Sequence, residues 1–145
     1  MAIIDQHLLL ARREAFTADE TFDTIDLLTM GDIGMGEPLY AVVQVSTTLD
    51  AASGNESYAV IFEMADLEAF SGSGHNTTEF DRITLSRGDV AGTQYTKFIP
   101  YGVDKRYIRA RIDTGGTTPS GAVTVYLTCE PPATPAQDTL YRGVV

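Results

Sequence analysis

The chain has no tryptophan, one cysteine and two histidines among its 145 residues. The lone Cys129 cannot form an internal disulfide, and with no second cysteine there is no cysteine metal cluster. Its setting in an apolar stretch is that of a buried free thiol. His7 and His75 stand far apart, so the histidine-rich ligand set of a β-barrel metal site is missing. The many acids leave calcium as an alternative, though no calcium-loop pattern of the helix-loop-helix kind occurs. No cofactor is expected. Paired carboxylates for glycoside hydrolysis would be assembled only by the fold, but the chain is small and lacks Trp for stacking sugars.

Bases are scarce as well. Ten Lys and Arg face twenty Asp and Glu, a net charge of −10, which repels nucleic-acid phosphates. The imbalance is uneven. Residues 1–70 hold 13 acids against Arg12 and Arg13, whereas residues 71–145 hold seven acids and eight bases. No apolar run approaches the roughly 18 residues of a membrane span. The start, Met1-Ala2-Ile3-Ile4-Asp5, lacks the basic and apolar regions of a secretory signal. The expectation is a protein made and kept in a cytoplasm, with neither membrane nor nucleic acid as partner.

What is present is β patterning. A hydrophobic share of 43% is ordinary for a globular chain. At this length folding hides roughly 70% of the unfolded surface, so one domain over residues 1–145 is expected. β-Branched and aromatic residues alternate with polar ones, between turn signals, in residues 21–28, 39–48, 58–66, 80–85, 94–100, 107–114 and 122–130. Residues 66–70 suggest a helical turn, broken by Ser71-Gly72-Ser73-Gly74. Seven or eight strands with short connections and no long helix predict an all-β sandwich or barrel. The stretches 39–48 and 58–66 are apolar on both faces (Val42, Val43, Val45; Val60, Ile61, Phe62). They belong in mid-sheet or beneath a neighbouring subunit. Stretches 107–114 and 122–130 flank Gly115-Gly116-Thr117-Thr118-Pro119-Ser120-Gly121, and that turn chemistry predicts a hairpin. Both ends read as arms. One spans residues 1–20, with residues 5–13 a first strand or a short helix. The other spans residues 131–145, set off by Pro131-Pro132, because proline lacks the backbone donor a paired strand needs.

Gly31-Asp32-Ile33-Gly34-Met35-Gly36 reverses the order of the dinucleotide fingerprint and leads into a strand, so it reads as a turn and not a phosphate cradle. The glycosylation-type triplets at Asn55 and Asn76 are incidental in a chain without a secretory signal. The basic cluster is Lys105, Arg106, Arg109 and Arg111. In stretch 107–114, Ile108, Ala110 and Ile112 point to one face, and Tyr107, Arg109 and Arg111 to the other. That outer face is either solvated with local ion pairs or a docking patch for an acidic surface, since Arg and Tyr are favoured at interfaces. The apolar tail Leu140-Tyr141-Arg142-Gly143-Val144-Val145 is a second candidate contact, through Leu140 and Tyr141.

Ile25-Asp26-Leu27, the Gly31–Gly36 loop and Pro38-Leu39-Tyr40-Ala41-Val42-Val43-Gln44-Val45 resemble the N-terminal part of the Bordetella-phage-type capsid cement proteins. The resemblance implies a jelly-roll-like sandwich of about eight strands. It implies a homotrimer on the outer surface of a tailed-phage head, seated at three-fold positions and clamping capsomers of the major capsid protein. It carries over no catalytic residue, so no enzyme is expected, and the location is the virion, after synthesis in a bacterial host. The rival readings are a trimeric receptor- or carbohydrate-binding module of a phage tail and a small barrel enzyme.

Overall fold

The computed structural model describes residues 8–27, 39–99 and 105–128. Among them the strands are β1 (Leu9–Phe16), β2 (Glu20–Asp26), β3 (Leu39–Thr47), β4 (Ser57–Ala65), β5 (Thr78–Leu85), β6 (Gln94–Ile99), β7 (Tyr107–Gly115) and β8 (Gly121–Thr128). They form two four-stranded sheets, in the orders β1-β8-β3-β6 and β2-β7-β4-β5. Every pairing is antiparallel. This is the eight-stranded double sheet of a jelly roll. The pairing is nested: β4 with β5, β3 with β6, β2 with β7 and β1 with β8.

The alternation read from sequence sets the core. Ala41, Val43 and Val45 of β3 face Tyr58, Val60 and Phe62 of β4, while β7 adds Ile108, Ala110 and Ile112 and β8 adds Val123, Val125 and Leu127. A fully buried Val, Leu, Ile or Phe contributes roughly 1.5–3 kcal/mol, so these inward rows dominate the stability of the sandwich. Rings meet edge to face where Phe16 and Tyr58 lie 5.8 Å apart. The two strands that are apolar on both faces, β3 and β4, are internal in their sheets.

One expectation needs correction. β7 and β8 are not a hairpin, because they belong to different sheets. The turn residues between them carry the chain across the end of the sandwich, beside the β3–β4 crossing. Asn55 and Thr117 bond reciprocally at 3.0 and 3.2 Å, and the Tyr58 hydroxyl donates to the Asp50 carbonyl at 2.9 Å and accepts from Ser120 N at 3.2 Å. Gly116 adopts φ +99°, and a Cβ there would lie 2.7 Å from the Asn55 carbonyl oxygen, so its role is close approach as well as turning. Of the two readings of residues 5–13 within the N-terminal arm 1–20, first strand or short helix, the strand is found: β1 is an edge strand with Leu10, Ala11 and Phe16 in the core. Its register shifts twice, between Leu9 and Ala11 and between Ala11 and Glu14. Arg13 sits at φ 46° there, and its amide donates to Thr124 Oγ1 at 3.1 Å. Such bulges break the period-two pattern and disguise a strand. They also keep an edge from templating foreign pairing. The Gly31–Gly36 loop, His7, Cys129 and the C-terminal arm 131–145 lie outside the described residues.

Candidate interaction surface

The outer face of the β2-β7-β4-β5 sheet is built on cross-strand neighbours. Glu63 of β4 lies opposite Arg109 of β7, and Ile61 lies between Arg111 of β7 and Arg82 of β5. Register therefore delivers two guanidinium groups to one carboxylate. Arg109 Nε reaches Glu63 Oε2 at 2.8 Å, and Arg111 Nε reaches Glu63 Oε1 at 3.0 Å. Glu63 is buried, and the arginine side chains are 21% and 31% exposed. On the other flank Arg82 bonds Glu79 at 2.9 Å. This bond holds the Glu79 carboxyl below the usual carboxylate range. Ile61 is wholly buried, flanked by two long stems that can cover apolar surface while their heads reach water.

A small second cluster seals the end of this face. Loop 66–77 folds back so that Phe70 packs with Ala65 and Tyr107. The Arg109 guanidinium lies 4.2 Å from the Phe70 ring centre, a cation–π contact. Three bonds hold the loop's base: Asp66 N to the His75 carbonyl at 2.9 Å, Asn76 Nδ2 to Asp66 Oδ2 at 2.7 Å and Thr77 Oγ1 to the Phe70 carbonyl at 3.3 Å. The Asn76 amide, with Lys105 beyond it, holds the Asp66 carboxyl below its usual range. Phe70 is at φ 53° and Asn76 at φ 44°. Sequence reasoning missed Phe70, whose sole signal was one aromatic ring at the edge of a polar loop.

All four residues of the predicted basic cluster have partners within the chain. Lys105 meets Asp66 at 3.4 Å and Arg106 meets Asp26 at 2.8 Å, in addition to the two bonds on Glu63. Tyr107 is 9% exposed. The structure thus brings Tyr107, Arg109 and Arg111 together on the predicted face, but half-buried and bound to the domain itself. Of the two readings of this face, local ion pairs or a docking patch, the bonds to Glu63 are the ion pairs of the first. Leu140 and Tyr141 lie outside the described residues.

The outer face of the other sheet is different. On β8, β3 and β6 the outward side chains include Thr124 and Tyr126, Tyr40, Val42 and Gln44, and Thr96 and Phe98. None is charged. Tyr40 and Phe98 meet edge to face at 5.6 Å, and Phe98 is 45% exposed. The Thr124 hydroxyl lies 3.0 Å from that of Ser46. Burial pushes the Tyr126 hydroxyl above its ordinary pKa. At one end of the sandwich, Asp19 accepts from Thr114 N at 2.7 Å and Thr114 Oγ1 at 2.9 Å, which holds its carboxyl low. Among the described residues no group of three or more His, Cys, Asp and Glu could hold a metal ion.

The architecture is that of an all-β jelly-roll sandwich with one outer face tied by ion pairs and one that is uncharged over β8, β3 and β6. Across residues 11–127 the sequence matches the model of the Bbp16 family, and the chain belongs to that family, one of Bordetella phage proteins. The match runs from β1 to the penultimate residue of β8. Membership makes this a phage-type protein and supports a structural, virion-associated role. A comparison with curated proteins returned no match.

Proposed function

We propose that the chain is a capsid cement protein, a homotrimer that decorates the outer surface of a phage head and ties capsomers of the major capsid protein together. The observation that carries this reading is the family match, which touches all eight strands. The likeness of residues 24–45 to capsid cement proteins and the jelly-roll strand order support it. On this reading the chain is no enzyme and needs no cofactor, and its net charge of −10 keeps it off the packaged nucleic acid. Several weak footprints on a shared lattice act together through high effective concentration. Co-sedimentation tests the reading. Purified protein is expected to pellet with expanded phage heads. Pelleting with bacterial cells instead overturns it in favour of a receptor-binding module.

A further inference from the structure

The two outer faces carry very different charge. On one, Arg109, Arg111, Glu63, Arg82, Glu79 and Asp113 stand on neighbouring strands. On the other, the outward positions of β8, β3 and β6 bear Tyr, Val, Gln, Thr, Ser and Phe with no charged side chain, in a chain where 21% of residues are charged. Val42 and Tyr126 are already buried within the single chain, so the accessible part of this face is Tyr40, Gln44, Thr96 and Phe98.

We propose that this uncharged face is where one copy of the chain packs against another. Around a symmetry axis a side chain meets its own copies. A charge there meets like charge, whereas a tyrosine, glutamine or phenylalanine does not repel itself. Two molecules of net charge −10 repel each other at most approaches, and this face offers a charge-free one. Its composition is also that of an interface core, aromatic and depleted of charge. Three strands about 4.8 Å apart give a core smaller than the roughly 800 Å² per partner of a stable interface. The charged bulge of β1, with Arg12, Arg13 and Glu14 exposed, lies across β8 as a polar rim. The proposal rests on the cement reading only for its self-association.

The test is the mass of the full chain by light scattering. The wild type is expected to be an oligomer at micromolar concentration. The double variant Thr96→Glu/Phe98→Glu, at two exposed positions, is expected to dissociate, with affinity lowered at least a hundredfold and an unchanged β circular-dichroism spectrum. Thr21→Glu/Thr84→Glu adds the same charge at exposed positions of the opposite sheet and is expected to keep the wild-type mass. Phe98→Ser, the milder change, is expected to weaken association about tenfold and serves if the double variant does not fold. A wild type of 15.7 kDa in solution overturns the proposal. So does a face variant that keeps its mass, or a control pair that dissociates equally. An oligomer that fails to bind heads removes the cement reading and leaves this contact standing, and a head-binding monomer does the reverse.

Discussion

β3 and β4 face the same problem and solve it differently. Each is internal to its sheet, and each carries a wholly buried aliphatic residue on its outward side, Val42 and Ile61. Ile61 is flanked by Arg111 and Arg82, whose heads are tied down by Glu63 and Glu79. Val42 is flanked by Tyr126 and Thr96. One sheet is finished with ions and the other with rings and hydroxyls. An ionic cover suits a surface meant for water, because its heads stay hydrated and it discourages association. A neutral cover leaves a surface that a second protein can desolvate at little cost.

The sharpest way to break this comparison is to empty the site under the ionic cover. Ile61→Ala is expected to cost about 3 kcal/mol in urea unfolding, the cost of a core cavity. A loss below about 1 kcal/mol would mean that the arginine stems leave Ile61 in contact with water. Next in size is the double charge reversal Arg109→Glu/Arg111→Glu, which places three carboxylates where two ion pairs stood. Half-exposed groups are partly screened, so the expected loss is about 2 kcal/mol, read as a lower denaturation midpoint. Unchanged stability would show that Glu63 does not depend on its partners.

Acid separates the sheets in another way. Asp19, Asp66 and Glu79 are all held below the ordinary carboxylate range, by hydrogen bonds from Thr114, Asn76 and Arg82 respectively. A lowered pKa in the folded state gives stability that is full above the unfolded value, about 4, and is lost as pH falls towards the folded one. All three contacts lie on the β2-β7-β4-β5 side. Amide exchange below about pH 4 is therefore expected to rise first in β2, β5 and β7, with β3 and β8 protected longest. Uniform loss of protection would erase the distinction. The smallest effect is expected at Glu79→Gln, which removes the ion pair and leaves the Arg82 stem over Ile61, since the Arg82 and Glu79 side chains are 45% and 40% exposed. Pairs this exposed contribute little, so the melting temperature should hardly move.

Much of this could be read from the chain, for reasons that name its limits. Period-two alternation gives away β7, because a residue buried on a pleated surface repeats every second position, and β3, β4 and β8 show as β-branched and aromatic runs between turn signals. Local chemistry does not name a strand's partner. The glycines at 115, 116 and 121 signalled a turn and hid a crossing between sheets. β1 was obscured by its own bulges, where Arg12, Arg13 and Glu14 interrupt the pattern. The arginine face was legible, with local ion pairs as one of its two readings, but the partner was not, since Glu63 is 46 residues from Arg109 in the chain and only register brings them together. Phe70 was out of reach for the same reason.

The nested pairing has a kinetic consequence. Among the described strands, only β4 and β5 are neighbours in both chain and sheet, so of these they alone can zip up early from the loop between them. Each further pair closes a longer loop, ending with β1 on β8, where Leu9 finds Tyr126. Loop closure lengthens the search, and chains dominated by such distant contacts fold in milliseconds to seconds. On the ribosome β1 must wait, exposed and unpaired, until the residues of β8, 121–128, have been made. A sandwich of this topology becomes competent to assemble only once its last strand has been made, which delays contact between half-made copies.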